Sequence, residues 1–299
     1  MDVEIVTDLL LQGILGDHDP QARGAFVEVG LGTINYSFLW ARDLGFTCYG
    51  VEPLPSEKLK ESARLRGVDL MEAAISTVNG TLPIHVGMLD GFTVSDVSSL
   101  HPDWWGGGTQ TKMVRSIRLC DYLSEKRIAR ISCLKIDTEG SEPSIVCPLV
   151  DLNPVHLPKV VAFEYGGGGS RASGSGGWKP GFFRGTLDCL ETLKRLGYSW
   201  MLVAEASASR TQVIRFDSVA NFEPMFPDTA TVGNLICLRE DIPLDEVHRL
   251  IKNIRLRVLL SACSKGAQSI FSSCWYYVGR IVSGIGRRLA RLGGGAKKP

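Results

Sequence analysis

Acidic residues are missing from the C-terminal end of this 299-residue chain. Asp245 and Glu246 are the last of 32, while the 53 residues beyond them hold 11 of the 33 lysines and arginines. The formal net charge of +1 therefore conceals a body at −10 (22 basic against 32 acidic residues up to Glu246) and a tail at +11. Such separation points to a distinct surface partner for the tail. Cys-x-x-Cys pairs are missing too: the eight cysteines stand at 48, 120, 133, 147, 189, 237, 263 and 274, a scatter without zinc-ligand or dithiol spacing. Cys133, inside Ile131-Ser132-Cys133-Leu134, reads as a buried reduced thiol. The N-terminus carries Asp2, Glu4 and Asp8 where a secretory leader has basic residues, and Leu9-Leu10-Leu11 is too short for a leader's apolar core. A reducing, cytoplasmic compartment is the expectation. There is no internal repeat and no Gly-x-x-x-x-Gly-Lys phosphate loop.

What is present suffices for a full core: 44% of residues are hydrophobic and 22% charged, which excludes a disordered chain. A short helix is predicted over 3–16 and a polar connection over 16–24. Alternation then begins, with strand at 25–29, helix at 34–44, strand at 46–51, helix at 55–66 and strand at 68–75. A strand at 81–86 is followed by an expected long loop, 87–111, which contains Trp104-Trp105-Gly106-Gly107-Gly108. The pattern resumes with strand 112–118, helix 120–128, strand 131–136, a helix at 143–150 that starts on Pro143, and a strand ending at Glu164. Residues 166–177 hold seven glycines in twelve positions and predict neither helix nor strand. A helix at 183–196 and strands at 198–204, 211–216 and 232–238 close the series. Strand and helix in turn imply a mostly parallel sheet covered on both faces. The expected divisions are 1–23, 24–245 and a basic tail at 246–299.

Phe26-Val27-Glu28-Val29-Gly30-Leu31-Gly32-Thr33, followed by Gly50-Val51-Glu52-Pro53, is the most informative stretch. An apolar strand running into Gly-x-Gly, then a second strand ending in a carboxylate, is how a Rossmann-like sheet holds an adenosine-bearing cofactor. A dinucleotide needs a third glycine, and Asn35 stands in its place. Glu28, two residues before Gly30, suits a ligand with a cationic aminoacyl and sulfonium end, so S-adenosylmethionine leads. A turn that merely needs glycine is the competing reading. Four strand ends carry acids in all: Glu28, Glu52, Asp137 with Glu139, and Glu164. One such acid often only caps the next helix, whereas four argue for a charged pocket.

Leu134-Lys135-Ile136-Asp137-Thr138-Glu139-Gly140-Ser141-Glu142 resembles the Leu-Lys-Ile-Asp-Val-Glu-Gly-Ala-Glu signature of FkbM-type methyltransferases. Ile117-Arg118-Leu119-Cys120-Asp121-Tyr122-Leu123 is similar to that family's Thr-Leu-Asp-Asp-Leu stretch, and Ala74-Ile75-Ser76 falls in the matching place. The resemblance covers roughly residues 24–205. It departs at the first motif, where Glu28, Gly32 and Ile34 stand at the family's Asp, Asn and second Gly positions.

The resemblance implies a Rossmann-like class I methyltransferase fold, α/β with a mostly parallel doubly wound sheet. It also implies methyl transfer from S-adenosylmethionine to an oxygen of a small-molecule or glycan acceptor. Glu28, Gly30 and Gly32 are expected at the cofactor's methionine end, Glu52 at its ribose, and Glu72, Ala73 and Ala74 near adenine. An alcohol needs a base to take its proton, and Asp137 is the first candidate, then Glu139 or Glu164. The competing reading makes Asp137 a helix cap. No metal is assigned, although Asp137 and Glu164 offer the oxygen ligands that magnesium favours. Of the histidines only His101, in the Trp-rich insertion, is a candidate for a role, because that insertion and the Gly-rich segment are expected to cover the acceptor. The departures at Gly32 and Ile34 keep open a catalytically silent adaptor. A nucleic-acid substrate is disfavoured by the acidic body and by the absence of the Asp/Asn-Pro-Pro-Tyr/Phe element.

In the tail, Ile270, Cys274, Tyr277, Val278, Ile281, Ile285, Leu289 and Leu292 recur at helical spacing, opposite Arg280, Arg287 and Arg291. A C-terminal amphipathic helix is expected. Arg280 and the glycines interrupt it too often for a membrane span. An anionic membrane surface met through 254–292, the acidic body, a second subunit in a homo-oligomer, and RNA stacked on Trp275, Tyr276 and Tyr277 all fit as its partner.

Overall fold

The computed structural model describes residues 3–33, 36–89, 92–205 and 211–240, with Asp245, Arg249 and Lys252 beyond them. The chain divides into two units, Met1–Leu250 and Ile251–Pro299, and the elements below belong to the first. The amphipathic helix expected in the tail lies outside the described residues, as do Ile34 and Asn35.

Strand β1 (Ala25–Val29) is buried at every position, as a central parallel strand must be when both faces are covered. The chain moves outward from it through helix α2 (Phe38–Asp43), strand β2 (Thr47–Val51), helix α3 (Glu57–Arg66) and strand β3 (Asp69–Met71). Helix α3 has both ends specified locally. The Ser56 hydroxyl accepts from the Leu59 N–H at 3.1 Å, and Gly67 ends the helix in the left-handed region. The expected strand over 68–75 is broken: β3 ends at Met71, and Ala74–Ser76 forms β4 in a different sheet.

The insertion corrects the sequence expectation most. The strands expected at 81–86 and 112–118 lie within β5 (Gly80–Leu89) and β7 (Gly107–Arg118), which extend into the loop expected over 87–111 from both ends, with β6 at Phe92–Thr93 and a 3-10 turn at Ser95–Val97 between them. Together with β4 these strands make a four-stranded sheet of order β4-β7-β5-β6. The outer half of β7, Gly107 to Met113, has no apolar alternation and faces solvent at most positions, so pairing with β5 is what makes it a strand. A small cluster of Ala74, Ile84 and Val114 anchors the hairpin, with Leu54 and Leu100 against it.

After helix α4 (Leu119–Glu125) the chain returns to the first sheet as β8 (Ile131–Ile136), again buried throughout. A one-turn helix α5 (Pro143–Val146) runs on as 3-10 turns to Asp151 and leads to β9 (Val160–Gly166). The Gly-rich segment adds only short 3-10 turns at Arg171–Ser173 and Gly176–Trp178. Helix α6 (Pro180–Arg195) and strands β10 (Trp200–Glu205), β11 (Gln212–Arg215) and β12 (Val232–Leu238) complete the element order. The eight-stranded sheet runs β11-β10-β12-β9-β8-β1-β2-β3. From β3 to β9 it is parallel, while β12 and β11 run against their neighbours. Helix α1 (Val3–His18) buries Leu10, Leu11, Ile14 and Leu15, each contributing roughly 1.5–3 kcal/mol. This is an α/β fold with a large, mostly parallel sheet whose chain order reverses at β1, between β2 and β8. Ligands of open α/β sheets bind beyond the strand ends at such a reversal.

Candidate active site

At the end of β1 the backbone turns at Gly30, with φ +76°. The Asp137 N–H donates to the Val29 carbonyl at 2.8 Å, which brings the two strand ends so close that a Cβ on Gly30 would lie 1.7 Å from the Asp137 carbonyl oxygen. Only glycine fits there. Glu52, at the end of β2, reaches across: Oε2 accepts from the N–H groups of Leu31 (2.9 Å) and Gly32 (3.3 Å), and Oε1 from Leu54 (2.9 Å). Gly30, Gly32, Glu52, Ala73, Ala74 and Asp137 line one crevice, together with Glu139 and Ser141.

Two of the expected cofactor residues do not line it. Glu28 is 1% exposed and turned inward, where its oxygens accept from the Ser37 and Phe38 N–H groups at 3.1 and 3.0 Å and pair with Lys135 at 3.3 Å. The N–H groups at the start of α2 need acceptors, and Ser37 provides none from its own side chain, so the strand carboxylate caps the helix instead. Glu72 points to solvent and pairs with Lys60 at 3.6 Å, because the bend between β3 and β4 turns its side chain outward.

Asp96, in the hairpin's 3-10 turn, supplies an anion that spacing did not suggest. Its Oδ2 accepts from the Thr33 hydroxyl at 2.6 Å, and its side chain lies against Gly32. Nothing in the sequence around Asp96 marks it, since the contact spans 63 residues.

Asp137, Glu139 and Glu164 each place a carboxylate oxygen within 4.8 Å of the other two. Glu139 is held in the left-handed region (φ +54°), its Oε2 accepts from Trp104 Nε1 at 2.6 Å, and its carbonyl accepts from the Ser99 hydroxyl at 2.6 Å. Such backbone in a non-glycine residue is uncommon and clusters at functional sites. Withdrawal from water raises the proton affinity of all three carboxyls. Asp137 goes up to about 7, with Glu4 adding to the rise and Lys135 opposing it. For Glu139 the charge of Asp137 adds to burial, and for Glu164 the charges of Asp137 and Glu139 do. Burial also raises Glu52, against three hydrogen bonds that favour its ionised form.

A second, smaller cavity lies on the other side of these acids, with Glu164, Glu142, Tyr165, Phe182 and Trp104 in its walls. Trp104 is 6% exposed and meets the edge of Phe182 at 4.9 Å. The hairpin and the Gly-rich segment are joined here: Lys179 Nζ donates to the Asp103 carbonyl at 2.6 Å, and Trp105 lies against Gly167 and Gly168. His101 stacks edge-on to Phe182 at 5.6 Å, and burial lowers its pKa. It lines an open groove outside both cavities, along with Lys179 and Arg184.

A strand-reversal crevice floored by glycine and walled by strand-end carboxylates defines a methyltransferase-like α/β protein. A family model described as the methyltransferase FkbM domain matches residues 24–199, and the chain belongs to that family. No curated protein matches it. Among solved structures, the methyltransferase domain of bacterial CtHen1 is 11% identical, over 77% of this chain and 99% of that one, with a TM-score of 0.34. A protein solved in connection with conversion of a disulfide bond into a thioacetal group during echinomycin biosynthesis is 10% identical, over 80% and 87%, with a TM-score of 0.31.

Proposed function

We propose that this chain is an S-adenosylmethionine-dependent methyltransferase that acts on a hydroxyl of a small molecule or sugar. The observation that carries the reading is Glu52, a buried carboxylate fixed by three N–H groups at the end of β2 and facing the Gly30 turn. The donor set fits the cofactor. A carboxylate so placed accepts from ribose hydroxyls, the glycine turn lets a ligand approach the backbone, and Asp96 offers an anion to a cationic aminoacyl end. When bound, S-adenosylmethionine supplies an electrophilic methyl group.

The remaining work falls to the chain's own residues. Asp137, Glu139 and Glu164 stand between the two cavities, where an acceptor hydroxyl can donate to one of their oxygens and surrender its proton there as it reacts. Trp104 and Phe182 screen the smaller cavity from solvent and fix the direction of approach. Calorimetric titration with S-adenosylhomocysteine tests the cofactor assignment. Wild type is expected to bind one equivalent, and Glu52→Ala to bind about tenfold more weakly or worse, a loss of at least ~1.4 kcal/mol. A folded wild-type protein that takes up none would remove the reading.

A further inference from the structure

We propose that Asp137, Glu139 and Glu164 hold one hard divalent cation, of the magnesium, manganese or calcium kind, at the partition between the two cavities. Their oxygens lie within 4.8 Å of one another. Carboxylate oxygens bind such ions at about 2.0–2.6 Å, so a single ion spans oxygens up to roughly 4–5 Å apart. The three groups come from anchored positions: Asp137 is tied to β1 through its N–H, Glu139 is clamped by Trp104 and Ser99, and Glu164 sits within β9.

Their charge is poorly balanced by the protein. Lys135 is the cation that acts on Asp137, and it is already shared by Glu28 at 3.3 Å and Glu4 at 3.4 Å. Glu142 adds a further negative charge nearby and is itself satisfied by the N–H and hydroxyl of Thr138. Crowded carboxylates withdrawn from water need a counter-charge, and three oxygen ligands select a hard ion. An independent observation also points to a missing ligand. Ser141 is 1% exposed, its Oγ has no hydrogen-bond partner, and it lines the crevice together with Asp137 and Glu139. A buried hydroxyl left unpaired marks a place where an ion's water or another polar group belongs.

The ion's role, lowering the proton affinity of an acceptor hydroxyl that reaches it from the smaller cavity, rests on the methyltransferase reading; the binding site itself does not. Titration of the full chain with Mn²⁺ alone, followed by loss of the free-ion electron paramagnetic resonance signal, tests the site. One ion per chain is expected. Affinity should fall about tenfold or more in Glu164→Gln and in Glu139→Gln, and stay at the wild-type value in Glu61→Gln on the exposed face of α3.

Thermal melts separate lost binding from lost folding. Without the ion, both site variants should melt at or above wild type because each removes one crowded charge, and a given Mn²⁺ concentration should raise the melting temperature of wild type more than that of either variant. No saturable binding by folded wild type, equal binding in both site variants, or site variants that melt well below wild type without the ion would each overturn the proposal. S-adenosylhomocysteine binding measured in chelator fails only if the cofactor reading is wrong, so the two failures are told apart.

Discussion

Two carboxylates near the glycine turn lower their energy in different ways, and the difference sets what each can do. Glu28 spends both oxygens on the start of α2 and on Lys135, inside a core where it is 1% exposed. Asp96 stays at the crevice, with its Oδ2 on the Thr33 hydroxyl. Neutralising Glu28 weakens a buried ion pair and one of two capping bonds, while the crevice walls are untouched. Glu28→Gln is therefore expected to cost about 2–4 kcal/mol of stability in urea melts while the folded protein keeps its affinity for S-adenosylhomocysteine. Asp96→Asn should do the reverse, leaving the melt near wild type and weakening the ligand about tenfold. Affinity lost in Glu28→Gln and kept in Asp96→Asn would return the role to Glu28.

At the scale of elements, helix α1 carries an acid whose position makes stability depend on pH. Burial raises Asp8 from an ordinary carboxylate value to about 6, against Lys135 of β8 and the Ser37 hydroxyl, which lower it, while Glu28 of β1 pushes in the same direction as burial. Between about pH 4 and 6 the folded protein thus holds more protons at this site than the unfolded chain, and stability falls as pH rises through that window. Above pH 6 the cost is fully present, roughly 2–3 kcal/mol for a shift of about two units. Asp8→Asn keeps an oxygen for Ser37 and removes the charge. Its melting temperature should exceed wild type at pH 7.5, and the gap should close toward pH 4; a gap independent of pH would locate the effect elsewhere.

Strands β1, β8 and β9 were legible because parallel strands buried on both faces read as mainly apolar runs, and Asp137, just past the end of β8, marks the crevice. The inner parts of β5 and β7 were legible as the strands expected at 81–86 and 112–118, but the outer half of β7 was not. Its outer residues are Gly, Thr, Gln and Lys, without alternation, and become a strand only by pairing with β5. The contacts of Asp96, Ser99 and Trp104 were hidden, since their partners Thr33 and Glu139 lie 35 to 63 residues away. Glu28 misled because a strand-end carboxylate facing the next helix looks the same in sequence as one facing a ligand.

For the whole molecule the governing quantity is charge separation: −10 up to Glu246 and +11 over the 53 residues after it. An anionic membrane surface repels the first and attracts the second, at roughly 1 kcal/mol for each Lys or Arg that comes near it. The tail's apolar residues, spaced three or four apart, would add a contribution that salt does not screen. The two contributions separate by ionic strength, because screening shortens the reach of charge from about 10 Å at 0.1 M salt to about 3 Å at 1 M. The proposal for the tail is that the full chain cosediments with vesicles containing phosphatidylserine at low salt, does so less at high salt, and ignores vesicles of neutral lipid. A residue of binding that persists at high salt would measure the apolar contribution. If the tail instead meets the acidic body or a second copy, its charge is already neutralised, and anionic vesicles should leave the protein in the supernatant even at low salt.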